Sequence, residues 1–253
     1  MIGTIISGLG VAMKALDLIS NNVANAKSYG FKTSALSFQD VYQQDGNPRT
    51  RVGEGAQLAN VKVRHERQGN LSLTSNVLDL AIKGAGYFVV SDVNATTTKY
   101  TRDGSFSLNA DGFIVNSSGL YVRDVNGKAI QIPEKYRGSS LSNLNIDQRG
   151  AVIGIFEGQE PLKIATVALA TFENPGALTP EGGGDFSANF QSGVANLGNP
   201  GSMGYGNVQS GALENSTTDI VKELTRMLAA QQSFSANAKM MQTQNDMTGR
   251  WVK

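Results

Sequence analysis

MIGTIISGLGVAMKALDLISNNVANA, residues 1–26, is the stretch on which the fold turns. Ile2, Leu9, Leu16 and Val23 recur every seven positions, and so do Ile5, Ala12, Ile19 and Ala26. Two apolar series offset by three and four trace one seam along a helix, the pattern of helices that pack lengthwise on one another. Gly3, Gly8 and Gly10 weaken the first turns, because glycine costs a helix about 1 kcal/mol relative to alanine. The far end repeats the pattern. Leu213, Ile220, Met227, Phe234 and Met241 are seven apart, with Leu224, Gln231 and Ala238 as the second series. Asn215, Ser216 and Thr217 precede this run as N-cap residues, and Asp219 and Glu223 fall in the first turn, where acids suit the helix dipole. No glycine or proline interrupts the run before Gly249. Amphipathic helices covering the chain's own core would show the same period. Matching seams at both extreme ends add a positional argument: the termini are expected to pair with each other or with copies of themselves.

Between the ends the period changes. From about Gln57 to Gly211, short apolar runs are split by turn residues: Leu80 to Ile82, Tyr87 to Val90, Phe113 to Val115, Leu120 to Val122 and Ile164 to Leu169. Asp103-Gly104, Asp111-Gly112, Ser118-Gly119 and Asn126-Gly127 come at nearly regular spacing, which predicts antiparallel hairpins. Gln43 to Gly55 and the Gly-, Asn- and Ser-rich stretch Pro180 to Gly206 read as connectors. The expected class is α+β, with long N- and C-terminal α-helices forming a coiled-coil-like domain around a central antiparallel β-rich domain. The expected segments are an N-terminal helix over 1–30, a connector and extended segment over 31–75, a β-rich domain with a Gly-rich return over 76–206, and a C-terminal helix over 207–253.

Composition narrows the function. The 253 residues carry a formal net charge of +1, no cysteine and one histidine, and 40% are apolar. A nucleic-acid binder needs a clustered basic surface. The densest basic run, Lys62, Arg64, His65 and Arg67, is interrupted by Glu66 and reads as a solvated strand face. Lack of cysteine removes disulfides, thiolate zinc sites and cysteine nucleophiles, and suits a chain exported unfolded into an oxidising space. No stretch reads as the ~20-residue apolar run of a membrane span. Lys14 and Asp17 break the apolar N-terminus, and no basic region precedes it, so a cleaved secretory signal is not expected.

Catalytic equipment is hard to assemble from these residues. One histidine, His65, makes a triad or a two-histidine metal site on one chain improbable. Gly84-Ala85-Gly86 lacks the third glycine of a dinucleotide fingerprint, since Val89 stands there. Asn109 to Gly112 looks like part of a calcium loop, but the closing glutamate would fall on Ser118. Asp103, Asp111 and Asp124 each sit beside turn residues, where Asp makes local hydrogen bonds. The chain is expected to be no enzyme and to need no cofactor or metal.

Asp17 to Phe38, DLISNNVANAKSYGFKTSALSF, resembles the N-terminal signature of the bacterial flagellar rod and hook family. Its core is Ile19-Ser20-Asn21-Asn22-Val23-Ala24-Asn25, followed by Tyr29-Gly30-Phe31-Lys32. Three further stretches follow in the family's order: Arg67 to Leu71 with Thr74 to Asn76; Leu80 to Phe88 with Tyr100 to Gly119; and Gly211 to Thr243. The resemblance is thinnest between about Ser139 and Gly206. Val52 to Leu73 is similar to distal rod members, while Ser7 to Leu9 and Ser37 to Asp40 are as similar to hook members. The chain has no room for the outer β domain that hook members insert.

The resemblance implies a structural rod subunit that polymerises helically as a drive shaft between motor and hook, with a short hook subunit as the alternative. It implies an inner tube built from both terminal helices. The seam residues would then be Ile2, Ile5, Leu9, Leu16, Ile19, Asn21, Asn22, Val23 and Asn25 at one end, and Ile220, Leu224, Met227, Gln231, Phe234 and Met241 at the other. Implied partners are copies of the chain, other rod and hook proteins, the rings around the rod and the flagellar export apparatus. No nucleic acid and no direct membrane span are implied. The implied location is the periplasm-spanning rod, or the extracellular hook under the alternative. Asn21, Asn22 and Asn25 are poor helix formers. Their expected role is to hydrogen-bond neighbouring backbone and fix register.

Overall fold

The computed structural model describes residues 2–42 and 53–251. The class is α+β, with one helix at each end and β structure between them. The chain forms two compact units. The first comprises residues 1–26, 33–64 and 218–253, and the second residues 27–32 and 65–217.

The first unit holds helix α1, Ile2–Ala24, strands β1, Ser34–Tyr42, and β2, Gly53–Val63, and helix α2, Ile220–Trp251. α1 runs unbroken through Gly3, Gly8 and Gly10. Gly8 has a packing reason: a Cβ there would lie 2.9 Å from the side chain of Asn237 on α2. The two helices run antiparallel, since Gly8 meets Asn237 whereas Asn22 meets Glu223. By length and composition α1 is apolar enough to cross a membrane, which the sequence reading did not expect. Within this unit one face of it lies against α2 and β2.

β1 and β2 pair antiparallel, with Ser34 opposite Val63. They occupy much of the segment read as a connector. Residues 43–52 of the Gln43 to Gly55 stretch lie outside the described residues. The strands escape pattern recognition because their side chains are mostly half-buried or exposed. The alternation that marks a strand needs one fully buried face.

α2 starts later than its sequence suggests. Its N-cap is Asp219, whose Oδ1 accepts the Lys222 N–H at 3.2 Å. Asn215 and Thr217 are committed elsewhere: the Asn215 N–H donates to Asn70 O, and the Thr217 N–H to Phe31 O. Leu213, placed on the helix by its spacing, is instead buried in a strand.

The second unit is β apart from one 3-10 turn, Pro175–Ala177. Its strands are β3, Leu71–Leu73; β4, Leu80–Lys83; β5, Tyr87–Ser91; β6, Thr98–Thr101; β7, Ser107–Leu108; β8, Ile114–Val115; and β9, Tyr121–Val122. They continue as β10, Lys135–Tyr136; β11, Ser139–Ile146; β12, Ala151–Phe156; β13, Leu162–Thr166; and β14, Leu169–Thr171. The last are β15, Thr179–Gly182; β16, Asp185–Ser187; β17, Asn196–Gly198; β18, Asn207–Ser210; and β19, Ala212–Glu214. The largest sheet runs β15-β16-β6-β5-β9-β8-β7, with β14 also on β5 and β17 beyond it. β5 is its centre, buried along its whole length. A second sheet runs β10-β11-β12-β13, its strands all antiparallel. The core joins both sheets through Phe88, Val90, Ile114, Val122, Val152 and Leu169.

One local device builds the hairpins. Asn109 Oδ1 accepts the N–H groups of Asp111 and Phe113, and Gly112 follows at φ +80°. Asn116, Asp124 and Asp147 repeat the arrangement, with Gly119, Gly127 and Gly150 at positive φ. These turns reverse the chain with an Asx cap and a left-handed glycine. Asp103-Gly104 is different. A Cβ on Gly104 would fall 1.6 Å from Leu80 O, so that glycine permits close packing rather than a turn. Pro180 to Gly206 is not a free connector either, since it supplies β16 and β17. Gly182, Gly183 and Gly184 turn β15 into β16 with φ of +90°, +63° and +83°.

Candidate functional site

The seam read from the sequence directs attention to the faces of the two terminal helices and to the contacts that fix them. On α1 the covered stripe runs along Ile5, Gly8, Ala12, Ala15, Ile19 and Asn22, with Leu9, Leu16 and Val23 half-buried beside it and Ala26 half-buried in the turn that follows. Ile2 and Asn21 are exposed. On α2 the covered stripe is Glu223, Met227, Ala230, Phe234, Asn237, Met241 and Gln244. Met227, Phe234 and Met241 lie on it as their spacing predicts, whereas Ile220, Leu224 and Gln231 are exposed. The companion series falls one residue earlier than the apolar pattern indicates, because Glu223, Asn237 and Gln244 are polar members of a covered face.

Asn22 explains part of that polarity. It is fully buried. Its Oδ1 accepts the Ser34 N–H at 3.1 Å, and its Nδ2 donates to Ser34 O at 2.9 Å. The amide thus pairs like a strand residue with the start of β1. The same Nδ2 lies 3.4 Å from Oε2 of the buried Glu223, whose Oε1 accepts from Arg226 at 2.6 Å. Asn22 therefore joins α1, β1 and α2 within the first unit. Asn25 acts locally, donating to Asn21 O at 3.0 Å.

The second unit contains a cluster of buried charge. Glu214 is 1% exposed. Its Oε1 accepts from Lys32 Nζ at 2.7 Å and from the Gly69 N–H at 2.8 Å, and its Oε2 accepts from Arg102 Nη1 at 3.2 Å. Two cations against one anion leave an excess positive charge, which backbone and ring absorb. Lys32 also donates to Arg67 O at 2.7 Å. Arg102 donates to Gly84 O at 2.8 Å and lies over the Tyr87 ring, 5.2 Å from its centroid. Burial pulls the Lys32 ammonium below its ordinary range, and Glu214 offsets part of that.

His65 adjoins this cluster rather than facing solvent. It is 6% exposed, its Nδ1 is 2.8 Å from the Tyr87 hydroxyl, and its ring meets Phe186 edge-on at 4.8 Å. Burial, reinforced by Lys32 and Arg102, holds its pKa down at about 4, so the ring is neutral at physiological pH. Its surroundings come from β5 and β16, distant in sequence, so no local pattern could reveal its burial.

Residues 81–154 match the family described as flagellar hook protein FlgE/F/G D1 domain, and residues 209–252 the flagellar basal body rod FlgEFG protein C-terminal family. Over the whole chain, the flagellar basal-body rod protein FlgG of Caulobacter vibrioides is 33% identical across 96% of this chain and 95% of its own length. The FlgG proteins of Borreliella burgdorferi and Bacillus subtilis are 32% and 31% identical, over 97% and 96% of this chain. The chain belongs to the flagellar rod and hook protein family.

As a rod and hook family protein, the chain carries the four stretches that mark the resemblance, and they converge on Glu214. Gly30-Phe31-Lys32 brings the ammonium, and Gly30 donates its N–H to Glu214 O at 2.7 Å. Arg67 to Asn70 brings the Gly69 N–H and a carbonyl, Tyr100 to Gly104 brings Arg102, and Gly211 to Ser216 brings Glu214 itself. All four stretches are visible in the sequence, but nothing local marks Lys32, Arg102 and Glu214 as partners. The available signal was the charged residue within three of these stretches, Lys32, Arg102 and Glu214. The pairing could not be read, because Lys32 and Glu214 are 182 positions apart.

Proposed function

We propose that this chain is a structural subunit of the flagellar basal-body rod, polymerising helically through its terminal helices into the shaft that carries motor torque to the hook. One observation carries the choice of rod. The chain spans 95% of the length of the first rod relatives but only 42% of the Borreliella burgdorferi hook protein FlgE, to which it is 30% identical. A structural role, with no enzymatic one, follows from the same relatives.

The helices support the assembly reading. Ile2, Ile6 and Met13 on α1 are exposed, as are Val221, Leu224, Leu228 and Met240 on α2. Apolar surface of this kind gains about 25 cal/mol per Å² when covered, and neighbouring copies in a tube would cover it. Under this reading α1 and α2 form the coiled-coil-like inner layer, and the seam comprises the residues named from the sequence. A helical tube requires head-to-tail contacts that do not close. Adjacent rod and hook proteins cap the tube, ring proteins surround it in the periplasm, and the flagellar export apparatus delivers the subunits.

Electron micrographs of basal bodies from a deletion strain test the proposal. The expected image is a truncated rod with no hook, restored by the wild-type gene. A complete rod lacking only its hook would favour the hook reading.

A further inference from the structure

Lys32, Arg102 and Glu214 are 2%, 5% and 1% exposed. Desolvating such a cluster offsets most of its Coulomb gain, and apolar replacement of buried ion triads is often neutral or stabilising. Stability therefore gives a weak account of why four separate stretches meet there.

Their positions in the chain give a stronger one. The chain passes between its two units at 26/27, 32/33, 64/65 and 217/218. Lys32 is the last second-unit residue before one passage, and His65 the first after another. Glu214 lies three residues before the passage that leads into α2. Around it the backbone is laced in three places. The Gly30 N–H donates to Glu214 O, the Asn215 N–H to Asn70 O and the Thr217 N–H to Phe31 O, and β19 pairs with β3, Glu214 opposite Leu71. A directional charge cluster fixes the offset of these segments in a way that apolar contacts, which tolerate sliding, do not.

We propose that Glu214 is a positioning residue: its carboxylate sets the register of three chain segments where they leave the second unit, and so the offset at which α1 and α2 pair. This rests on the rod-subunit reading.

The test uses the full-length chain with K32M, R102M and E214L combined, and separately with R102K. Gly8→Cys and Asn237→Cys report helix register by disulfide formation, since these positions meet within the first unit. The triple variant is expected to unfold at a urea midpoint no lower than the parent, to lose the Gly8–Asn237 cross-link, and to fail to restore swimming to a deletion strain. R102K is expected to fold and to show partial loss of both. A triple variant that swims and cross-links like the parent overturns the inference. So does R102K losing stability and function in strict proportion, which would make the cluster a plain stabiliser. Failure of the wild-type gene to restore swimming would instead overturn the rod reading.

Discussion

At the scale of single residues, backbone geometry gives the sharpest expectations. Gly30 has φ +67°, and a Cβ there would lie 2.4 Å from Asp103 N. Neither the backbone conformation nor the neighbouring main chain can yield cheaply. Gly30→Ala is expected to destabilise by about 2–4 kcal/mol, read as a lower urea midpoint with an unchanged slope. Asn22→Leu leaves the Ser34 N–H and C=O unpaired at a half-buried place, at about 1 kcal/mol for each group. Faster amide exchange at Ser34 would accompany it. His65 sets a pH dependence. Its pKa of about 4 in the folded chain lies below the ordinary 6.5, so the unfolded chain binds the extra proton first as pH falls. This contribution is fully present above 6.5 and is lost between 6.5 and about 4, by on the order of 3 kcal/mol. The stability difference between pH 7 and pH 4.5 should shrink in His65→Gln. An equal difference in variant and parent would contradict the assignment.

At the scale of elements, legibility followed the physics of each. The helices and three of the glycine turns were readable because their determinants are local: a seven-residue apolar period, and a turn residue followed directly by glycine. The β1–β2 hairpin was not, because its faces are only partly covered. The α2 seam was half readable. Met227, Phe234 and Met241 announce themselves, whereas Glu223 and Asn237 are polar residues on the covered side and look like solvent positions. The ion cluster was visible only as disconnected motifs. The two faces of α2 can be told apart by mutation. Leu228 is 60% exposed, so Leu228→Asp should leave the monomer's unfolding within about 0.5 kcal/mol while blocking polymer formation in sedimentation. Phe234→Ala, on the half-buried stripe, should cost about 1–3 kcal/mol in the monomer itself, less than a fully buried ring.

At the scale of the whole molecule, the two units are unequally self-sufficient. The second has a continuous core from Leu80 to Val208. α1 and α2 span 23 and 32 residues, yet among the described residues their only buried side chains are Ala12, Ile19 and Asn22 on α1 and Glu223 on α2. Ordering a residue's backbone costs roughly 1–2 kcal/mol. Two long helices therefore carry a cost of tens of kcal/mol, which intrahelical hydrogen bonds and a half-covered seam offset only in part. Under the rod-subunit proposal neighbouring copies supply the balance, so order at the ends is expected to be coupled to assembly. Hydrogen exchange on the free full-length chain resolves the two units directly. Amides of β5, β12 and β14 should exchange only through global unfolding. Those of α1 and α2 should exchange orders of magnitude faster, and slow sharply once the chain polymerises. Strong protection of both helices in the monomer would contradict the coupling and leave their exposed apolar faces without an energetic reason.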